Sequence, residues 1–400
     1  MPGLPALAIE GAKGVGKSAT AQRRSSSILR LDDDITREIV RADPSRLGSD
    51  TRPLLLDEWQ RLPEVWDRVR RLVDDGAGPA SFLLTGSAVP AGAAIHSGAG
   101  RIVGLRMRPL SLAERHPGLA SVSLGALLSG NAGPLGGETS LTLTDYVREI
   151  LRSGLPGIHP LAGRQLRTTL DGYLDNVIRR EFSEQGLAVR RPDTLRAWLT
   201  AYAAATSTTS SYATILTAAT ARDGDPPAKT TTIAYRDILS QLWLLDPVEA
   251  WQPAGSELGR LAKAPKHQLA DPALAARLLG LTEVDFVPGG RGARMLGHLF
   301  DHLVTMSVQA YAVIPEARVH YFRAPSGDHE VDIVVERGDQ VVAIEVKLTR
   351  AADDHDVRHL LWLRERLGDR FADGIVVTTG THAYRRSDGI GVVPAALLGP

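Results

Sequence analysis

The feature that most constrains this chain is an eight-residue glycine-spaced loop, Gly11-Ala12-Lys13-Gly14-Val15-Gly16-Lys17-Ser18, directly behind the apolar run Leu7-Ala8-Ile9. The order is strand, glycine-rich loop, start of a helix. Glycines let consecutive backbone N–H groups turn inward on a polyphosphate. The helix that follows aims the positive end of its dipole at the same charge. In this pattern Gly11 through Ala19 cradle the phosphates, Lys17 reaches the β- and γ-phosphates, and Ser18 brings its hydroxyl to Mg²⁺. The chain is therefore expected to open with a parallel α/β P-loop domain whose ligands are ATP and Mg²⁺. Lys13, inside the loop, is read as exposed and not catalytic.

A phosphate loop of this kind needs an acidic strand to hold its metal. Leu54-Leu55-Leu56-Asp57-Glu58 supplies one. Three leucines suit a strand buried on both faces of a parallel sheet. Asp57 then falls at the strand's carboxyl end, where open α/β sheets place their ligands. Asp57 is the expected outer metal partner, and Glu58 the group that polarises the attacking water. A third strand runs from Ser81 to Ser87. Its polar end faces the same crevice, so Thr85 or Ser87 is the expected γ-phosphate sensor. Arg101 is the candidate for stabilising developing phosphate charge, in cis or from a neighbouring subunit, with Arg106 and Arg108 as competitors. The first strand starts only a few residues after Met1, so the expectation is a start further upstream or a trimmed chain.

Four hundred residues imply two or three domains. Lysines plus arginines equal aspartates plus glutamates at 46 each, which leaves no overall basic footprint for nucleic acid. A local patch stays open, and DNA is kept as a candidate partner. There is no cysteine, hence no disulfide and no thiolate metal site. No apolar stretch approaches the ~20 residues of a membrane span, and the N-terminus lacks a signal pattern. The expectation is a bacterial protein of the cytoplasm without membrane contact.

Four segments are expected. Residues 1–117 form the ATPase domain, and 118–190 a linker with a helical segment. Residues 191–262 form a winged-helix-like helical module, and 263–400 a nuclease-like domain. Gly118 to Thr144 is rich in Gly, Ala, Ser and Leu and reads as a loop or linker. Helices are expected from Asp145, over Leu166–Glu184, Leu195–Ala204, Tyr212–Ala221 and Thr230–Leu242, with a loop at Arg222–Pro227 and a strand at Trp243–Leu245. The third of the last three helices carries only Lys229 and Arg236 as basic residues, which favours helical packing or protein contact over a DNA-reading helix.

The C-terminal part holds a second constellation. A helix over Gly297–Ala312 carries Asp301. The run Glu330-Val331-Asp332-Ile333-Val334-Val335 then turns at Arg337–Gln340 and returns as Val341-Val342-Ala343-Ile344-Glu345-Val346-Lys347. Alternation and turn chemistry make this a β-hairpin. The period of two puts Glu330 with Asp332 on one face, and Glu345 with Lys347 on another. If the register joins those faces, Asp332 and Glu345 form a hard-oxygen Mg²⁺ site, with Lys347 placed to orient water and Asp301 as a third carboxylate. A helix over Asp356–Phe371 and a strand at Gly374–Thr378 follow.

The two constellations in this order resemble a bacterial and archaeal group of AAA+ ATPases whose C-terminal half is a domain of unknown function ending in a PD-(D/E)xK restriction-endonuclease-like fold. The residues that carry the resemblance are Gly11–Ser18, Leu54–Gln60, Leu83–Ser87, Arg108–Ser111, Arg152–Pro156, Tyr235–Leu245, Gln268–Pro272, Gly297–Asp301 and the closing hairpin. It implies a P-loop on Gly11, Gly16, Lys17 and Ser18, an acidic strand on Asp57 and Glu58, and a nuclease-type motif on Asp332, Glu345 and Lys347. Asp301 stands where the family often has glutamate. The expected function is Mg²⁺-dependent ATP hydrolysis coupled to the nuclease-like domain. The alternative is a slow nucleotide switch that controls protein partners, with the nuclease-like fold catalytically inert; protein partners and a homo-oligomer are both kept as candidates.

Overall fold

The computed structural model describes residues 3–86, 100–130, 133–184, 191–220, 229–252, 264–324 and 326–400. The first unit runs β1 (Ala6–Glu10), α1 (Lys17–Gln22), β2 (Ser27–Arg30), α2 (Asp34–Ala42), α3 (Arg46–Ser49), β3 (Leu54–Asp57), α4 (Glu64–Asp74), β4 (Phe82–Thr85) and β5 (Ile102–Arg106). All five strands are parallel, in the order β2-β3-β4-β1-β5. The leucines of β3 are fully buried, as a strand covered on both faces requires. β4 lies between β1 and β3 and pairs Thr85 with both Ile9 and Asp57. The ends of three strands therefore meet along one carboxyl edge.

The rest of the chain is woven into a second unit. It continues with α5 (Leu112–Arg115), β6 (Val122–Ser123), α6 (Leu124–Leu128), α7 (Leu143–Leu151), α8 (Gly163–Asn176) and α9 (Phe182–Glu184). A π-helical turn at Val177–Glu181 joins α8 to α9. Next come α10 (Pro192–Ala204), α11 (Tyr212–Thr220), α12 (Lys229–Gln241) and α13 (Pro272–Leu278). The last part is α14 (Ala293–Tyr311), β7 (Arg318–Arg323), β8 (Glu330–Arg337), β9 (Gln340–Val346), α15 (Asp354–Leu367), β10 (Phe371–Thr378), β11 (Tyr384–Arg385), β12 (Gly391–Pro394) and β13 (Leu398–Gly399).

The large C-terminal sheet has the order β11-β12-β10-β9-β8-β7. β7, β8 and β9 form an antiparallel meander, and β10 joins β9 in parallel after the α15 crossover. Strand alternation divides its side chains between two cores. Ile333, Val335, Val342, Ile344, Ile375 and Val377 face α14 and the helices before it. Val334, Val341, Ala343 and Val376 face Val357, Leu360 and Leu363 of α15.

Two sequence expectations change here. The stretch read as linker, Gly118–Thr144, contains β6 and α6, with Leu124, Leu127 and Leu128 fully buried. Four of its glycines, Gly118, Gly130, Gly133 and Gly137, take positive φ, while the leucines keep helical spacing between Gly118 and Gly130. The strand expected at Trp243–Leu245 is only an isolated bridge from Leu245 to Leu269, and Trp243 has a φ of 59°, which ends any extended run. The loop expected at Arg222–Pro227 and the side chain of Lys229 lie outside the described residues.

One apolar core takes in Ala12 and Val15 of the first unit and runs on from Leu112 to Leu398, through residues that the sequence divides among four segments. β13 pairs with β6. Tyr146 Oη accepts from Ala396 N at 3.1 Å, Ser307 Oγ from Leu112 N at 3.1 Å, and Tyr311 Oη from Ala113 N at 2.9 Å. The two units meet at a tight crossing where Leu110 N donates to Gly154 O at 2.7 Å. Buried Asp271 holds the other side of that crossing, accepting from Gly154 N at 2.7 Å, Ser153 Oγ at 2.8 Å and Ala273 N at 2.8 Å.

A Cβ on Gly154 would lie 2.6 Å from Arg115 Nη2 and 2.7 Å from Leu110 O. Gly154→Ala is expected to destabilise the protein by about 1–3 kcal/mol, the usual cost of overpacking. The midpoint of urea unfolding measures it. An unchanged midpoint would show that the crossing is looser than its contacts imply.

Candidate functional site

The phosphate loop leaves β1 with Gly11 at φ 149°, where an added Cβ would sit 2.2 Å from Met107 O. Only glycine fits that approach. Gly16, at φ 95°, takes the left-handed turn that starts α1. Lys17 is buried, and its Nζ donates to Gly11 O at 2.8 Å and Ala12 O at 3.1 Å. The ammonium is thus folded back over the loop. Burial pulls its pKa down to about 8, against the opposing pull of Glu58 and Glu181.

The acidic strand closes on the loop across β4. Ser18 Oγ donates to Asp57 Oδ1 at 2.7 Å, and Thr85 Oγ1 donates to the same oxygen at 2.5 Å. The hydroxyl and carboxylate are adjacent hard-oxygen donors, a set that fits Mg²⁺. Glu58 takes a left-handed conformation, φ 56° and ψ 43°, uncommon for a residue with a side chain. It turns the chain sharply out of β3, and Gln60 Nε2 donates to its Oε2 at 2.5 Å. Loop, Asp57 and Glu58 line a cavity of about 770 Å³, to which the second unit contributes Pro156, Gly157 and Glu184. That volume lies within the range of small-molecule sites.

Lys13 is exposed, as expected, yet it has partners. Its Nζ lies 3.4 Å from Glu181 in the π-helical turn, and Tyr173 Oη donates to its carbonyl at 3.2 Å. Neither contact was legible in the sequence. Ser87 lies outside the described residues.

The arginine expectations change. Arg101 precedes β5 and pairs with Asp74 at 2.7 Å. Parallel pairing of β5 with β1 puts it at the amino edge of the sheet, opposite the phosphate loop. It does not reach the loop of its own chain. Arg106 and Arg108 stand at the carboxyl edge but are held by Asp246 of the second unit. Arg108 Nε and Nη2 donate to its two oxygens at 2.7 and 3.3 Å, and Arg106 Nη1 lies at 2.8 Å. The Arg106 guanidinium also covers the Trp243 ring at 4.7 Å. Burial pushes the Asp246 carboxyl up, but the two arginines outweigh it and hold it below its ordinary range.

At the C-terminal hairpin the register pairs Ile333 with Ile344, which sets Asp332 beside Glu345. Val346 N donates to Asp332 Oδ2 at 2.9 Å, and Lys347 Nζ to Glu345 Oε1 at 2.7 Å. Burial lifts Glu345 to about 8, reinforced by Asp332 and opposed by Lys347. Glu345 Oε2 is buried with no hydrogen-bond partner among the described residues. Glu330 turns instead towards Arg323, at 3.9 Å. The sequence reading missed Lys266. This fully buried lysine donates to Asp301 Oδ2 at 2.8 Å and Asp332 O at 3.0 Å, and lies 3.5 Å from Asp332 Oδ1. Its signal was faint: a lone cation in the otherwise uncharged run Ala264–Ala270, except for His267.

Comparison with known proteins agrees with the N-terminal geometry. Residues 4–116 match the family described as AAA domain. Residues 143–285 and 296–398 match two domains of unknown function, DUF8612 and DUF4143. An uncharacterized protein of Mycobacterium tuberculosis and one of Mycobacterium bovis are each 25% identical to this chain over 400 residues, spanning 98% of it and 80% of their own length. Among solved structures, protein VC1899 from Vibrio cholerae aligns at 11% identity over 98% of this chain and 94% of its own, with a TM-score of 0.20. The first match supports a P-loop ATPase-like domain around the loop and the acidic strand. No helix among the described residues is long and apolar enough to cross a membrane.

A lysine that is half-neutral near pH 8 must be protonated to meet a polyphosphate. ATP affinity is therefore expected to be flat below pH 7 and to fall above pH 8, by up to tenfold per pH unit. Calorimetry across that range, with Lys17→Ala as the non-binding control, measures it. A flat profile to pH 10 would place the Lys17 ammonium out of reach of the phosphates.

Proposed function

We propose that this protein binds ATP on Gly11–Ala19, hydrolyses it with Mg²⁺, and passes the nucleotide state to its C-terminal module through the Arg108–Asp246 pair and the Gly154 crossing. The shared oxygen of Asp57 carries the reading. Ser18 and Thr85 both donate to it, so the loop hydroxyl, the acidic strand and the sensor strand already meet at one atom. Bound Mg²⁺ would neutralise charge on the phosphates, held by Ser18 and Asp57. Lys17 leaves the loop carbonyls for the β- and γ-phosphates. Glu58 orients a water for in-line attack on the γ-phosphorus, and phosphate departs from ADP. Ser87 remains a candidate sensor beside Thr85. Arg101, at the far edge of the sheet, serves a phosphate only on a neighbouring copy, so its use in catalysis requires a homo-oligomer.

The C-terminal module supports a restriction-endonuclease-like reading through its order of helix, three-stranded meander, helix and parallel strand, with Asp332, Glu345 and Lys347 side by side. DNA is the partner that this reading names. A second reading is favoured by the lysine in that cluster. The module is then a catalytically inert contact surface, and the nucleotide controls protein partners. The cytoplasm suits both, given a chain without cysteine.

The experiment is ATP hydrolysis by the purified protein with Mg²⁺, with and without DNA, beside Glu58→Gln. The first reading expects turnover that rises with DNA and drops at least a hundredfold in the variant. Tight binding with negligible turnover in every condition would replace it with the switch. Turnover unaffected by Glu58→Gln would remove Glu58 from the mechanism.

A further inference from the structure

We infer that the Lys266 ammonium occupies the cation seat of the C-terminal acidic cluster, so that this module balances its carboxylates with an internal ammonium in place of a divalent metal. The inference goes beyond the nucleotide reading and does not depend on ATP turnover.

Three observations converge. The first is position. Lys266 Nζ contacts Asp301 on α14 and both the carbonyl and carboxylate of Asp332 on β8, at 2.8, 3.0 and 3.5 Å. A Mg²⁺ or Mn²⁺ ion bound to these oxygens would need them at about 2.0–2.2 Å, in the space the nitrogen fills. The second is the use of the remaining oxygens. Asp301 Oδ1 accepts from Thr305 Oγ1 at 2.9 Å, Asp332 Oδ2 from the Val346 amide, and Glu345 Oε1 from Lys347. Of the six carboxylate oxygens, only Glu345 Oε2 lacks a partner among the described residues. One open oxygen is a poor offer to a hard cation that takes six ligands.

The third is anchorage. Lys266 is fully buried, and its own backbone is tied in both directions to Val248, with N–H donating to Val248 O and C=O accepting from Val248 N, each at 2.9 Å. The stem cannot swing aside as a surface lysine would. It joins the segment after the helical module to both α14 and β8, so the ammonium also fastens these elements to one another. A buried carboxylate cluster left without this charge would draw in another cation.

The test is Mn²⁺ binding, read by electron paramagnetic resonance on nucleotide-free protein carrying Asp57→Asn, which removes the contribution of the phosphate-loop site. With Lys266 present, no tight Mn²⁺ is expected. Lys266→Ala should gain one Mn²⁺ with at least tenfold higher affinity, and its melting temperature should rise with added Mn²⁺. Adding Asp332→Asn should abolish both effects. Tight Mn²⁺ in the protein with Lys266 intact, lost on Asp332→Asn, would overturn the inference. So would a folded Lys266→Ala that gains no Mn²⁺. Lys266→Met keeps the stem and serves in its place should the alanine variant not fold. All of these proteins carry Asp57→Asn and are expected to lack ATP turnover, so the Mn²⁺ readout stands apart from the nucleotide reading.

Discussion

The ion pair between Asp246 and the arginines at the end of β5 is the contact on which the arrangement of the two units depends. Asp246 is almost fully buried, and without Arg106 and Arg108 it would be an isolated charge in an apolar junction. Removing one partner of such a pair typically costs about 3–5 kcal/mol, far more than a surface pair contributes. The pair also fixes where β5 ends, and β5 lies directly beside the strand that feeds the phosphate loop. A few residues on, the same segment makes the Leu110–Gly154 crossing, and the chain beyond Gly154 brings Pro156 to within 3.5 Å of a Cβ built on Gly16. The nucleotide cavity and the unit boundary are therefore one contiguous piece of packing.

This continuity changes how the arginines should be understood. From position alone, a guanidinium at the carboxyl edge of a parallel sheet is a phosphate ligand. In this fold two such guanidinia are already committed, one stacked on Trp243 and both paired with Asp246. Burial of Arg106 pushes its pKa down, although Asp246 opposes that pull, so desolvation weighs heavily on its charged form. Nearby, Lys13 and Glu181 tie the rim of the loop to the π-helical turn. Helix segments of that type recur at functional sites.

The phosphate loop was legible because each of its residues answers a local demand: a backbone turn, a charge, a hydroxyl. The acidic strand was legible for the same reason, since three leucines followed by Asp57 and Glu58 describe burial and then an edge. The hairpin of β8 and β9 could be read from alternation, but its register could not, and the structure supplies the pairing that sets Asp332 beside Glu345. What stayed hidden depends on partners far along the chain. Asp246 lies 138 residues from Arg108, and Lys266 lies 66 from Asp332. The motifs Arg152–Pro156 and Gln268–Pro272 carried the resemblance with no stated physical role. They turn out to be the two sides of the Asp271 crossing. The glycine-rich stretch before Thr144 misled because its average composition masked three leucines at helical spacing.

The pairing of β13 with β6 has a consequence for synthesis. Every strand of the first sheet lies between residues 6 and 106, so that sheet can close while the ribosome is still translating. The second core cannot. Ser123 Oγ donates to a carbonyl 277 residues ahead, and Ala396 and Leu398 fill the same core as Leu124 and Tyr146. Until residues 398–399 emerge, the edge of β6 lacks its pairing strand, and the apolar face of α6 waits for β8, β9 and β10. The nascent protein therefore spends most of its translation time with its first sheet closed, its phosphate loop still lacking Pro156 and the core around Ala12 and Val15, and a long apolar remainder open. That is the kind of intermediate for which chaperones exist.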